Sequence, residues 1–135
     1  MQMSTAEGLR DLFARYSAAV DDARYDDIAD AFCLDGSFTP GSQGAQPVRT
    51  RAGVRAYMQE RLSAQTDMRR HVITNVRVVS QEQDAVSGAG YLTLMVTDNG
   101  ATTARVTGTY EGDAVREQDG RWRWRALRLR LDGPL

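Results

Sequence analysis

Residues 121–131 read Arg-Trp-Arg-Trp-Arg-Ala-Leu-Arg-Leu-Arg-Leu, an alternation of charged and apolar residues that changes phase part-way. Trp122, Trp124 and Ala126 share one parity, whereas Leu127, Leu129 and Leu131 take the other. Successive side chains of a β-strand point to opposite faces, so one buried face cannot collect both sets unless a residue is inserted. The stretch therefore predicts a β-bulge or sharp bend near Arg125–Leu127. Unless the strand corrects itself there, the three leucines lie on a face that a second subunit must cover.

The same period of two runs upstream. It predicts strands at about 70–80, 85–97 and 101–116, before a last strand at 121–132. Asp98-Asn99-Gly100 marks a tight hairpin, because Asn-Gly tolerates the positive φ angles of a type I′ turn. Asp119-Gly120 marks another. Four consecutive strands joined by short turns form an antiparallel meander. Strands this long twist enough to make the sheet curl.

The N-terminal half keeps a helical period instead. Ser4-Thr5-Ala6-Glu7 fits a capping box. Leu9, Leu12, Phe13, Tyr16 and Val20 then recur at spacings of three and four, an apolar stripe on one helix face. Asp21-Asp22-Ala23-Arg24 reads as its end. Tyr25, Ile28, Ala29 and Phe32 make a short second helix, Asp35-Gly36 a turn and Ser37-Phe38-Thr39 a short strand. Pro40 to Pro47 is a loop by its glycine and proline content. Thr50 caps a third helix carrying Val54, Tyr57, Met58 and Leu62. Together these elements predict one α+β domain over residues 1–135. Its shape would be a cone-like α+β barrel, with three N-terminal helices on a curved antiparallel meander sheet. A cavity would open between the first helix, the third helix and the sheet.

Composition narrows the chemistry. Of 135 residues, 41% are hydrophobic, enough for a modest core, and the formal net charge is −1. All 17 basic residues are arginine. The absence of lysine excludes a Schiff-base lysine and a P-loop lysine. One cysteine, Cys33, excludes an intramolecular disulfide, and one histidine, His71, excludes an HExxH zinc site. No metal or cofactor is expected. The charge balance gives no pull toward nucleic acid. No apolar run approaches the roughly 18 residues needed to span a bilayer. The N-terminal MQMSTAEGLR lacks the pattern of an export signal, which points to the cytoplasm.

His71 opens the first long strand, where alternation puts it on one face with Ile73 and Asn75. It reads either as a hydrogen-bonded structural histidine or as a general base. Asp21 ends the first helix within about 20° of the apolar stripe, at about 100° per residue. A carboxylate there is disfavoured by the helix dipole. It either caps the next helix, a task Asp22 could also do, or has a chemical role. Tyr16, about 1.4 turns earlier, could face the same cavity. Asp26, Asp27 and Asp30 read as a solvated face.

The order Tyr16-x4-Asp21, Asp26-Asp27-Ile28-Ala29-x2-Phe32-x2-Asp35-Gly36-x-Phe38 and His71-x3-Asn75 resembles the SnoaL-like branch of the nuclear transport factor 2-like superfamily. The likeness runs nearly the whole chain and is nearest to a dehydratase subgroup that includes scytalone dehydratase. It implies an Asp21–His71 dyad with Tyr16 polarising a substrate oxygen. The pocket would be lined by Phe13, Phe32, Phe38, Tyr57, Met58, Leu62, Asn75 and Tyr110. The activity implied is a cofactor-free lyase or isomerase on a small hydrophobic, cyclic or polyketide-like molecule. A dimer or trimer is the expected assembly. Scytalone dehydratase has a second pocket histidine that this chain lacks. SnoaL-type cyclases use an acid late in the sheet, and Glu111 and Asp113 do not match it. A non-catalytic scaffold like the β subunits of ring-hydroxylating dioxygenases is the alternative.

Overall fold

The computed structural model describes residues 3–135; Met1 and Gln2, part of the stretch read for an export signal, lie outside it. The chain runs α1 (Thr5–Asp21), α2 (Tyr25–Asp30), β1 (Phe32–Thr39), β2 (Val48–Arg49), α3 (Arg51–Ser63), β3 (Met68–Gln81), β4 (Ala85–Asp98), β5 (Ala101–Arg116) and β6 (Trp122–Leu131). The capping box forms: the Ser4 hydroxyl accepts from the Glu7 backbone N–H and the Glu7 carboxylate from that of Ser4. The Thr50 hydroxyl accepts from the Gly53 backbone and caps α3. Asn99 and Gly100 have φ of 51° and 79°, both left-handed as a type I′ hairpin requires.

The fold is α+β, and the sheet is wider than the sequence pattern shows. Strands β3 to β6 form the expected antiparallel meander. Beyond β6 the sheet continues through β1, which runs parallel to it, and then β2. The six-stranded sheet is thus mixed and open, in the order β2-β1-β6-β5-β4-β3. Parallel partners are distant in sequence and leave no hairpin signature, so this pairing escapes local pattern reading. Two local readings change with it. Phe32 begins β1 rather than ending the second helix. Asp35-Gly36 lies inside β1, where the register with β6 jumps from Phe32↔Trp124 to Ser37↔Ala126.

Register breaks bend the sheet. In β6, Ala126 pairs with Asp113 and Trp124 with Ala114, which leaves Arg125 as the extra residue of a bulge. Trp124 and Leu127 are consequently both fully buried on the concave face. Leu129 and Leu131 pack against the same core, so these leucines do not call for a second subunit. The indole of Trp124 meets the Phe13 ring of α1 edge-on at 4.8 Å.

Gly112 on β5 makes room for that indole, since a Cβ there would lie 2.3 Å from Trp124 Cζ3. Gly112→Ala should therefore lower the stability read by urea denaturation by about 1–3 kcal/mol, the usual cost of overpacking. An unchanged midpoint would show that Trp124 can shift.

Candidate active site

Asp21 is the last residue of α1, and His71 lies four residues into β3. β3 is the edge of the sheet, so half of its backbone groups face away from β4 without a strand partner. Asp21 supplies one of them. Its carboxylate accepts the His71 backbone N–H at 2.9 and 3.2 Å. The same carboxylate meets the ring Nδ1 of His71 at 2.6 Å. A carboxylate only accepts, so Nδ1 carries the proton and Nε2 is the ring's free nitrogen. Both side chains are mostly buried, at 15% and 11% exposure for His71 and Asp21. The positive φ of Ala23, 52°, turns the chain out of α1 just after this contact.

His71 forms part of two walls. On one side lies a cavity of about 770 Å³ between α1, α3 and the concave face of the sheet. On the other is a smaller cleft of about 460 Å³, walled only by α1 and β3, to which Asp21 contributes. Asp21 thus stands behind the imidazole as seen from the large cavity. Val20, Phe38, Met58, Leu92 and Leu94 make that cavity apolar in its interior, and residues 129–135 close one side.

Of the residues read from the sequence, Tyr16, Phe38, Tyr57, Met58, Leu62, Tyr110 and His71 line the large cavity. Phe13 lines the rear cleft instead. Phe32 lines neither; it is fully buried, with its ring edge-on to Tyr16 at 5.9 Å. Asn75 is exposed and does not follow His71 and Ile73 into the wall. Its φ of 54° marks a bulge between Thr74 and Arg77 that puts Val76 and Val78 inward in its place. The alternation used to place Asn75 fails at that bulge. Leu92, Leu94 and Arg69 were missed. Arg69 shares the parity of His71 two residues away, a signal that was available. Among the late acids, Asp113 accepts hydrogen bonds from Ser87 and Arg128, away from the cavity. Among the described residues no group of three or more His, Cys, Asp or Glu side chains could hold a metal ion.

The Tyr16 and Tyr110 rings meet edge-on, with centroids 6.2 Å apart. Burial holds the Tyr16 phenol well above its ordinary pKa, and the neighbouring Tyr110, including a hydrogen bond to it, adds to the effect. Burial also raises Tyr110; the hydrogen bond from Tyr16 opposes this, and the Asp21 charge reinforces it. Both phenols therefore stay neutral donors. Above pH 10 the unfolded state loses tyrosine protons that the folded state keeps. Stability should then fall as pH climbs past that value. Tyr16→Phe should show a shallower alkaline loss in urea titrations, and an equal loss would place the effect elsewhere.

A family model described as SnoaL-like domain matches residues 2–128. No protein of curated function matches the chain by sequence. Solved structures of similar fold include Aln2 from a Streptomyces species, 20% identical with a TM-score of 0.83 over 98% of this chain and 95% of that one. ActVI-ORFA from Streptomyces coelicolor is 19% identical, with a TM-score of 0.82 over 93% and 96%. A protein of Catenulispora acidiphila in complex with S-DNPA is 24% identical, with a TM-score of 0.83 over 93% and 92%. At these identities the likeness shows the fold. The family match covers most of the chain, and this protein belongs to the SnoaL-like domain family of the nuclear transport factor 2-like superfamily.

Proposed function

We propose that the protein is a cofactor-independent lyase or isomerase of the dehydratase type, acting on a small, largely apolar and cyclic molecule. The observation that carries this reading is the 2.6 Å contact between Asp21 and His71 Nδ1 at the wall of an apolar cavity. Histidine is the commonest general base near neutral pH, and a carboxylate behind it fixes its tautomer and stabilises the imidazolium that forms. The cavity volume lies in the range of small-molecule sites. A scaffold subunit would need neither this opening nor a buried acid at the C-terminal end of a helix, where the helix dipole disfavours it.

In the reaction, Nε2 of His71 takes a proton from a carbon next to a carbonyl. The electron pair of that C–H bond moves toward the carbonyl oxygen. The Tyr16–Tyr110 pair donates to the oxygen as its charge develops, from phenols that burial keeps protonated. Loss of hydroxide from the adjacent carbon, with the proton now on His71 returned to it, completes a dehydration. Return of the proton to a different carbon gives an isomerisation instead. The Catenulispora relative, which holds S-DNPA, supports a small-molecule occupant for the cavity.

A panel of cyclic β-hydroxy ketones, followed by enone absorbance, tests the reading. Wild type should convert at least one member. His71→Ala and Asp21→Asn should each reduce that turnover by about a hundred- to ten-thousand-fold while the fold persists by circular dichroism. Turnover retained in both variants sinks the proposal. The dyad also has a substrate-free signature. His71 is the sole histidine, so its ring nitrogens give one pair of NMR signals. Nitrogen shifts of the neutral ring should show Nδ1 protonated, and Asp21→Ala should lose that preference.

A further inference from the structure

The apolar cavity has a cationic side. Arg61 of α3 and Arg69 of β3 line it; Arg130 and Asp132 border it from β6 and the residues after it, but alternate with the inward Leu129 and Leu131. Asp132 is engaged by the Thr107 hydroxyl at 2.7 Å. Arg61 stacks over the Tyr57 ring at 5.7 Å. Among the described residues, Arg61 forms no ion pair with a carboxylate.

Arg69 is the more constrained of the two that line it. Its side chain is 19% exposed and its partner Asp67 15%. The pair uses one edge of the guanidinium: Nε donates to Oδ1 of Asp67 at 2.8 Å and Nη2 to Oδ2 at 3.5 Å. A guanidinium carries five N–H donors on a planar fork. Asp67 takes the side edge, and the end edge, formed by Nη1 and the second Nη2 hydrogen, has no protein acceptor among the described residues. That edge has the spacing of a carboxylate. Arg69 and His71 are two residues apart on one strand face, about 7 Å along β3. A carboxylate seated on Arg69 would hold a carbon a few bonds away beside the imidazole.

We propose that the open edge of Arg69 anchors the carboxylate of an otherwise apolar substrate, so that the substrate class is a hydrophobic carboxylic acid. The inference rests on the cavity being the substrate site of the reading above and adds the group that orients the molecule there. Asp67 holds the guanidinium in place. Arg61 adds positive potential without fixing a geometry, which suits approach of an anion.

Naphthoate and its uncharged counterpart naphthamide serve as probes, with binding followed at the single His71 imidazole by NMR. Wild type should bind naphthoate more tightly than naphthamide. Arg69→Gln should weaken naphthoate by about tenfold, the effect of one charged hydrogen-bonding partner, and leave naphthamide nearly unchanged. Equal loss for both probes, or binding of neither by wild type, overturns the proposal. Should Arg69→Gln fail to fold, Asp67→Asn carries the test. It removes the competing charge and should tighten naphthoate alone, and an unchanged affinity overturns the anchor. The readout is independent of turnover. Naphthoate binding that depends on Arg69 in a protein where His71→Ala keeps full activity would fail the dyad and keep the anchor. The reverse pattern would fail only the anchor.

Discussion

Arg125 is one residue too many for the ladder between β5 and β6, and much of the molecule follows from where it is placed. Without the bulge, the concave face could collect Trp124 or Leu127, but not both. With it, the indole of Trp124 fills the narrow end of the sheet against Phe13, while Leu127, Leu129 and Leu131 continue along the same face toward the wide end. The bend separates a packed end from an open one. Side chains as large as tryptophan close the first, and aliphatic and tyrosine side chains leave the second hollow. The cavity is therefore a consequence of bending a sheet whose strands are too long to lie flat under one helix.

The Asp21–His71 contact joins the two layers of this frame. It ties down backbone and side chain at once, because the carboxylate that receives the His71 backbone N–H also receives its ring. The edge position of β3 explains why that N–H is free to be received. Placing the acid on the last residue of α1 opposes the helix dipole, and two hydrogen bonds to one oxygen compensate. The backbone bond fixes the carboxylate against the strand, and the ring bond orients the imidazole on that carboxylate. That fixity is what a general base needs, since proton transfer depends on geometry before it depends on basicity.

The polar groups that reach the cavity's interior come from separate elements. The imidazole lies on β3, the phenols of Tyr16, Tyr57 and Tyr110 on α1, α3 and β5, and the guanidinium of Arg69 two residues from the imidazole. Aliphatic side chains lie between them, and Arg61 and Gln65 add further polar groups from the α3 side. Such an arrangement recognises a molecule by its shape and by a small number of oxygens. Structures of similar fold at 19% and 20% identity show that the frame persists while most side chains change.

Local signals made much of this legible in the sequence. The capping box, the Asn99-Gly100 hairpin, the four long strands and the bulge near Arg125 are short-range features, each written in neighbouring residues. Asp21 stood out because it sits on an apolar face at the wrong end of a helix, and His71 because it is the sole histidine. The parallel pairing of β1 with β6 was hidden, since its partners are about 90 residues apart and no turn announces them. Asn75 was misplaced because alternation fails after a bulge, and Phe32 because one apolar residue fits a helix end or a strand start equally well. The leucines of β6 were legible as a phase slip but not as a cavity wall. Sequence by itself determined the elements, because helix caps, periods and turns depend on contacts within a few residues. Tertiary structure alone decided which face each residue meets after a bulge, that one Asp21 oxygen serves both the backbone and the ring nitrogen of His71, and that Arg69 keeps an edge free. The Asp21–His71 contact joins residues 50 apart, and the other two depend on side-chain geometry that alternation does not carry.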